Sequence, residues 1–264
     1  MFGEVGRTRY DVNFSLFGIP VRISPMFWAV AILFAPQITM RIENMRYWLI
    51  GLAAWITAWV LTFIIHEMGH ALVIGKIFGA QPWIVLYGFG GMACHRPYYR
   101  NPPGNIGRIL ISFAGPAAEI LAVILFLTVC RLCGKMLVYV PYSVGPLLVP
   151  MVMPEEIVAG MFTHAVFYCF AGWFTYSFIW MGIFWGLLNL VPIMPLDGGN
   201  ILQEILVTFD RRGGYTTAVW ISIMCAAAIA FFFMKDGHTF GAIFFAFLAY
   251  QNFERLQYQS RGIS

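Results

Sequence analysis

Apolar residues are gathered in six runs along the chain, and more polar segments separate the runs. The runs cover residues 26–40, 47–75, 109–130, 161–191, 218–234 and 240–253. Because about 20 consecutive apolar residues let a helix cross a bilayer, the pattern predicts an α-helical polytopic membrane protein with about six transmembrane helices. The first run contains Pro36 and the last run is short, so the pattern alone does not fix the ends of these two spans.

One segment between the second and third runs does not follow a helical pattern. Pro82, Gly88, Gly90 and Gly91 divide two short apolar stretches there, which is typical of a β-hairpin. Backbone of this kind at membrane depth must be packed in protein or line a cavity. We therefore expect a hairpin-like or re-entrant element near residues 82–95.

The polar segments are short. Residues 1–24 are expected to form a cytoplasmic or interfacial tail, with one short strand at 14–23. Residues 134–160 contain several prolines and are expected to form a loop. Since no stretch outside the runs is long enough for a soluble globular domain, residues 25–264 are predicted to form a single integral membrane domain.

Composition supports a membrane protein and excludes other classes. Hydrophobic residues make up 60% of the 264 residues and charged residues only 11%, against about 25% charged in soluble domains. The net charge of +4 is small and scattered, so no nucleic-acid partner is expected. The five cysteines form no disulfide framework, and one C-x-x-C at Cys130 and Cys133 is weak evidence for redox or zinc chemistry. No cleavable signal peptide is evident.

The distribution of basic residues predicts the orientation. With six spans, both termini lie on one side of the membrane, and 11 of the 16 Arg and Lys residues fall on that side. Cytoplasmic loops carry an excess of Lys and Arg. We therefore expect a multi-pass protein of the cell inner membrane with both termini in the cytoplasm.

Three ionisable side chains stand inside the second run. His66, Glu67 and His70 are the only acidic, basic or imidazole groups between Arg46 and Lys76. Ionisable groups inside a spanning helix are costly and usually mark a function. The two histidines lie one helical turn apart on the same face, where they can share a metal, and the glutamate is close enough to reach a metal-bound water. The spacing predicts a zinc site.

A catalytic zinc site holds its metal with three protein ligands and leaves one position open. Asp197, at a Pro- and Gly-rich break where a span ends, is the best candidate for the third ligand. The alternative is that Asp197 caps a helix at 199–207, and the two roles are compatible. The other histidines, His95, His164 and His238, are expected in loops or helix margins away from the metal.

Four motifs follow one another in the order found in one family. They are His66 to His70, Gly88 to Gly91, Ala114 to Ala117, and Asn189 to Gly199. In this combination the chain resembles the site-2 protease family of intramembrane zinc metalloproteases, which includes the bacterial sporulation-factor-processing enzymes. The resemblance covers a catalytic core at about 47–205 and points to a short form without a PDZ insertion or an appended regulatory domain.

The resemblance implies roles for individual residues. His66, His70 and Asp197 would bind one Zn²⁺ per chain, and Glu67 would be the catalytic base. Asn189 would lie near the site and stabilise the oxyanion.

The glycine-rich hairpin is expected to bind the substrate. A transmembrane helix must unwind before cleavage, because its carbonyls are hydrogen-bonded within the helix. We expect the segment 83–93 to offer a strand edge to the unwound chain, with Gly88, Gly90 and Gly91 as the substrate-binding residues.

Glu119 departs from the family pattern, since family members often carry Asn there. It lies 11 residues after Arg108, roughly 16 Å along the third span and level with His66 on the second. We expect its carboxyl to hold a ligand imidazole or a substrate amide rather than to bind the metal. The alternative is a protonated Glu119 that packs against another helix.

Together these features predict a zinc metalloendopeptidase that hydrolyses peptide bonds in or near transmembrane segments within the lipid bilayer. The expected substrates are single-span membrane proteins. The alternatives are a membrane metal transporter, for which Glu67 would have no use beside the metal, and a catalytically inactive metal-binding protein. A di-iron membrane enzyme usually needs about eight histidines, and this chain has five.

Overall fold

The structure is a computed structural model that describes residues 6–35, 45–88, 90–95, 99–135, 137–144, 147–154 and 166–260. The helices are α1 (Pro25–Phe34), α2 (Met45–Leu72), α3 (Asn105–Leu132), α4 (Val166–Asn189), α5 (Asp197–Phe209), α6 (Gly214–Lys235) and α7 (Thr239–Ser260). The strands are β1 (Val12–Leu16), β2 (Ile19–Ile23), β3 (Pro82–Tyr87), β4 (Gly90–His95), β5 (Leu137–Val144) and β6 (Leu147–Pro154). A π-helical turn at Val73–Ile77 continues α2.

Within the described residues, four helices are long and apolar enough to cross a membrane. They are Met45–Ile77, Asn105–Leu132, Cys169–Asn189 and Gly214–Lys235, and they match the second to fifth apolar runs. The chain is therefore a mostly helical, multi-pass membrane protein.

The count of six spans stays a prediction. The first run gives only the 10-residue helix α1, and residues 36–44 lie outside the described part of the chain. Helix α7 is as long as α6, but its last turns are rich in polar residues. Length and composition therefore do not place α7 among the four spans.

A four-stranded sheet in the order β1-β2-β3-β4 lies beside α2. The predicted hairpin at 82–95 is present as the antiparallel pair β3–β4, and Gly88 turns between the strands with φ 52°. Strand β2 pairs with β3 in parallel, with Val21 opposite Ile84. The membrane depth of this hairpin, which a re-entrant element requires, stays a prediction.

The N-terminal expectation of one strand at 14–23 was wrong. The structure has two antiparallel strands, β1 and β2, joined by a turn at Phe17 and Gly18. Both turn residues have positive φ, 50° and 80°. Glycine adopts this backbone without strain, but a single Phe-Gly step inside an apolar stretch is a weak turn signal.

The loop expected at 134–160 contains a second hairpin instead. Strands β5 and β6 pair antiparallel, with Pro141 opposite Pro150. Proline lacks the N–H that a central strand must donate. In a sheet of two strands each strand keeps one free edge, so prolines do not exclude strand structure here.

Helix α2 organises the core because α1, α3, α4 and the four-stranded sheet all pack on it. Its residues Trp55, Trp59 and Phe63, spaced one turn apart, pack with Phe27 of α1 in one buried cluster. Helix α3 packs closely against the C-terminal part of α2. A Cβ at Gly69 would overlap the backbone carbonyl of Ala114, so glycine allows the two helices to touch. The segment with the ionisable residues is thus enclosed on several sides.

Candidate active site

Two histidines of α2 and one aspartate of α5 point at the same spot. The Nε2 atoms of His66 and His70 lie 3.0 Å apart. Oδ2 of Asp197 lies 3.1 Å from Nε2 of His66 and 3.4 Å from Nε2 of His70. Both histidines are buried, so three donor atoms from two separate elements converge in an enclosed place.

This donor set fits zinc. A tetrahedral Zn²⁺ with bonds of about 2.0–2.1 Å keeps its ligand atoms ~3.3 Å apart, close to the three separations observed. Space for the group depends on Gly115 of α3. A Cβ on this residue would overlap the imidazole of His70 and lie 2.8 Å from Nε2 of His66. Among the described residues, His66, His70 and Asp197 form one group able to hold a metal.

The Nδ1 atom of each of these two imidazoles meets an oxygen on α3. His70 Nδ1 lies 2.6 Å from the carbonyl oxygen of Ile111. A carbonyl only accepts, so Nδ1 donates and Nε2 keeps its lone pair for a metal. His66 Nδ1 lies 3.0 Å from Oε2 of Glu119. Outer partners of this kind fix the ring orientation of metal-binding histidines.

Glu119 is almost fully buried, with 1% of its surface exposed. Its Oε1 has no hydrogen-bond partner among the described residues. The missing side chain of Gly186 on α4 makes room for the carboxyl, since a Cβ there would lie 3.3 Å from Oε2. The carboxyl thus reaches His66 and lies apart from the converging donor atoms.

Glu67 lies under the β3–β4 hairpin. Its side chain is buried, with 4% of the residue's surface exposed. A Cβ at Gly91 would overlap the Glu67 side chain. Strand β4 therefore packs directly on this carboxylate, and glycine at position 91 permits it.

A cavity of about 620 Å³ opens beside these groups. His66, Glu67, His70 and Asp197 line it, together with Asn189 at the end of α4. The hairpin contributes Gly88, Gly90 and Gly91, and α7 contributes Phe244, Phe247, Leu248 and Gln251. The amide of Asn189 donates one hydrogen bond to the carbonyl of Trp185, at 3.0 Å. Its second N–H hydrogen is not used in that bond.

Comparison with known proteins identifies the family. The family model described as Peptidase family M50 matches residues 54–233, well over half of the chain. The chain belongs to peptidase family M50. The predicted resemblance to the site-2 proteases is thereby confirmed.

Relatives of this M50 chain are named as candidate zinc metalloproteases. One, sll0528 from Synechocystis sp., is 25% identical over 214 residues, which cover 77% of this chain and 46% of the relative. Another, Rip3 from Mycobacterium tuberculosis, is 24% identical over 229 residues, 83% of this chain and 48% of the relative. The chain thus spans about half the length of the curated relatives it matches.

Among solved structures, the Site-2 Protease from Methanocaldococcus jannaschii aligns over 93% of this M50 chain and 94% of its own, with a TM-score of 0.49 and 19% identity.

The alternative that Asp197 caps a helix was wrong for this M50 chain. Helix α5 begins at Asp197 itself, two residues before the expected start, and its N-cap is Leu196, without a side-chain cap. The aspartate is therefore in the first helical turn with its carboxylate directed at the two imidazoles. Its place in the first turn still suits the helix dipole.

The remaining histidines lie elsewhere in this M50 chain. His95 ends β4 and its Nε2 lies 2.6 Å from the hydroxyl of Tyr99. His238 follows α6 and its ring packs on Phe233. His164 lies outside the described residues. Cys130 and Cys133, at the end of α3, are free thiols.

Sequence reasoning missed several residues of this M50 site. Ile111 contributes only its backbone carbonyl, which no side-chain pattern reveals. Asn200, one turn after Asp197, and Gln251 on α7 line the cavity. In the sequence, Asn200 is a polar residue near a helix break and Gln251 is a polar residue inside an apolar run. Such a position does not show which cavity the residue faces.

Proposed function

We propose that this chain is an intramembrane zinc metalloprotease, which hydrolyses peptide bonds in or beside transmembrane segments of single-span membrane proteins. One Zn²⁺ per chain would be held by His66, His70 and Asp197. The observation that carries this proposal is the convergence of three donor atoms, with Glu67 on the helical position next to His66, at the wall of one cavity. A metal carrier would have no use for a carboxylate that a strand holds beside the ligands.

Glu67 is the proposed proton carrier. Zinc, when bound, acts as a Lewis acid that lowers the pKa of water towards ~7 and polarises a carbonyl. Glu67 accepts the proton of the attacking water and delivers it to the leaving amine. Strand β4 packs on the Glu67 side chain at Gly91 and keeps the carboxylate in place. Asn189 lines the same cavity, and its second N–H is suited to donate to the oxyanion of the tetrahedral intermediate.

Strand β4 is the proposed docking edge for the substrate. In the described sheet β4 is the last strand, and it borders the cavity beside Glu67. An unwound segment can add to such an edge through main-chain hydrogen bonds. Gly88, Gly90 and Gly91 present no side chains there, so the substrate backbone can approach closely.

The proposed topology has six spans, both termini in the cytoplasm and the cell inner membrane as location. Residues 25–264 would act as one membrane-embedded protease domain, with its catalytic core at about 47–205. His66 lies ten residues before Lys76, so the site would open within ~15 Å of the cytoplasmic end of α2.

A comparison of membrane proteomes tests this function. Cells that carry Glu67→Gln should accumulate single-span proteins or fragments that cells with the wild-type chain remove. The variant keeps the size of the side chain and removes only its basicity. Identical membrane proteomes, in the presence of equal amounts of the two proteins, would argue against proteolysis.

A further inference from the structure

The segment that delivers Asp197 to the site is buried at its centre. It runs from the end of α4 at Asn189 to the start of α5, and its residues Ile193 and Met194 are fully buried. Two short turns shape it: the N–H of Leu196 donates to the carbonyl of Ile193 at 2.8 Å, and that of Ile193 donates to Val191 at 2.7 Å.

Side chains from the last two helices hold both backbone groups of Met194. The Met194 N–H donates to Oγ of Ser222 on α6 at 3.1 Å. The Met194 carbonyl accepts from Nδ2 of Asn252 on α7 at 2.6 Å. Ser222 and Asn252 are completely buried. We call this pair of side chains the Met194 clamp.

The two side chains of the Met194 clamp are themselves fixed. Ser222 donates to the carbonyl of Ala218 in its own helix at 2.9 Å. The second N–H of Asn252 donates to the carbonyl of Leu248 at 2.8 Å. These bonds orient both side chains, and the Oδ1 atom of Asn252 has no partner among the described residues. The clamp therefore gives the Met194 backbone one position relative to α6 and α7.

A shift of Met194 would be passed on to Asp197. The first turn of α5 rests on the segment so closely that a Cβ at Gly199 would overlap the nitrogen of Met194. Asp197 is three residues after Met194 and belongs to that turn. A metal site tolerates displacements of about 0.5 Å in its ligands, so the clamp bears directly on the third ligand.

We propose that Ser222 and Asn252 are positioning residues of the metal site, which act through the backbone of Met194 to place the Asp197 carboxylate. The inference rests on the proposed role of Asp197 as third ligand. It also gives α7 a part in the site, and Asn252 lies beyond the residues 54–233 that the family comparison matches.

Metal affinity of the purified full-length chain tests the inference without any need for cleavage. Zn²⁺ affinity is measured by competition with a chelator in the wild type, Ser222→Ala and Asn252→Leu. Each change should weaken binding by about tenfold or more, as losses of outer partners of metal ligands do. Ser222→Ala removes a single oxygen, so it serves even where Asn252→Leu does not yield folded protein. Co²⁺ bound in place of zinc should show an altered visible spectrum in the same variants.

Thr216→Val is the matched control. Thr216 of α6 bonds Gln259 of α7, with 3.1 Å from Nε2 of Gln259 to the hydroxyl. The change therefore removes a bond between the same two helices in which Met194 takes no part. It should leave the zinc affinity and the cobalt spectrum as in the wild type.

A double-mutant cycle decides whether the clamp acts through the third ligand. Asp197→Ala alone should weaken zinc binding, and Ser222→Ala should add no further loss in that background. Two results would refute the clamp while Asp197→Ala still weakens binding and the ligand set stands. In one, the clamp variants bind zinc as tightly as the wild type does. In the other, the loss from Ser222→Ala adds in full to the loss from Asp197→Ala. If Asp197→Ala binds as tightly as the wild type, the proposed ligand set fails and the clamp falls with it.

Discussion

At the scale of residues, the imidazoles of His66 and His70 are each held on both sides. Nε2 of His66 and His70 faces the Asp197 carboxylate, and Nδ1 faces an oxygen on α3. The oxygen for His70 is a backbone carbonyl, which no substitution at Ile111 removes. The oxygen for His66 belongs to Glu119 and can be changed.

Glu119 variants should separate the hydrogen bond from the charge. Glu119→Gln keeps an acceptor oxygen for His66 Nδ1 and should retain most of the zinc affinity and cleavage. Glu119→Leu removes the acceptor and should reduce the zinc affinity or the cleavage rate by about tenfold or more. Zinc competition and cleavage of a reconstituted single-span substrate measure both. Full affinity and full cleavage in Glu119→Leu would show that His66 needs no partner on α3.

Gly115 is predicted to be required for metal binding because its missing side chain makes room for the ligands. Gly115→Ala places a Cβ against both imidazoles, so the purified variant should lose its zinc. Gly104→Ala is the control, since a Cβ at this residue before the same helix meets no atom within 4 Å. Equal zinc contents in the two variants, measured per folded chain, would contradict the geometry.

At the scale of elements, the β3–β4 hairpin and α3 serve different halves of the site. Helix α3 supports the imidazoles of His66 and His70, while β4 lies against Glu67. Damage to one element should therefore affect metal binding and damage to the other should affect catalysis.

Gly91→Ala tests this division. The new Cβ would overlap the Glu67 side chain and displace the proposed base while the three ligands stay in place. The cleavage rate should fall by at least about tenfold, because general-base catalysis is impaired. The zinc content should remain that of the wild type. Gly115→Ala should show the opposite pattern, because it should lose its zinc. Zinc loss in Gly91→Ala would show that the hairpin also supports the ligands.

The sequence predicted those elements whose signal is local. The histidine spacing needs only a regular helix, and counting residues from Arg108 placed Glu119 level with His66, where the structure has them in contact. The extra N-terminal strand and the β5–β6 hairpin were missed because a Phe-Gly turn and strand prolines are ambiguous signals. Ser222 and Asn252 could not be assigned at all, because a polar residue in an apolar run does not reveal its partner segment.

At the scale of the whole molecule, the proposal places the site near the cytoplasmic face. A single cysteine at position 100, in a variant without the five native cysteines, should react with impermeant reagents only after the inner membrane is breached. A single cysteine at position 135 lies on the opposite side in the proposed topology and should react in intact cells. The reverse labelling pattern would overturn the orientation but not the metal site.

The central claim is that the metal and the base are separate parts of one peptidase site. Its most direct measurement determines zinc content and cleavage on the same purified sample of Glu67→Gln, reconstituted with a single-span substrate. Three ligands remain in this variant, so it should contain one zinc per chain, as the wild type does. Its cleavage should be abolished, because the amide cannot take up the proton. Cleavage at a near-normal rate by the zinc-loaded variant would contradict the account.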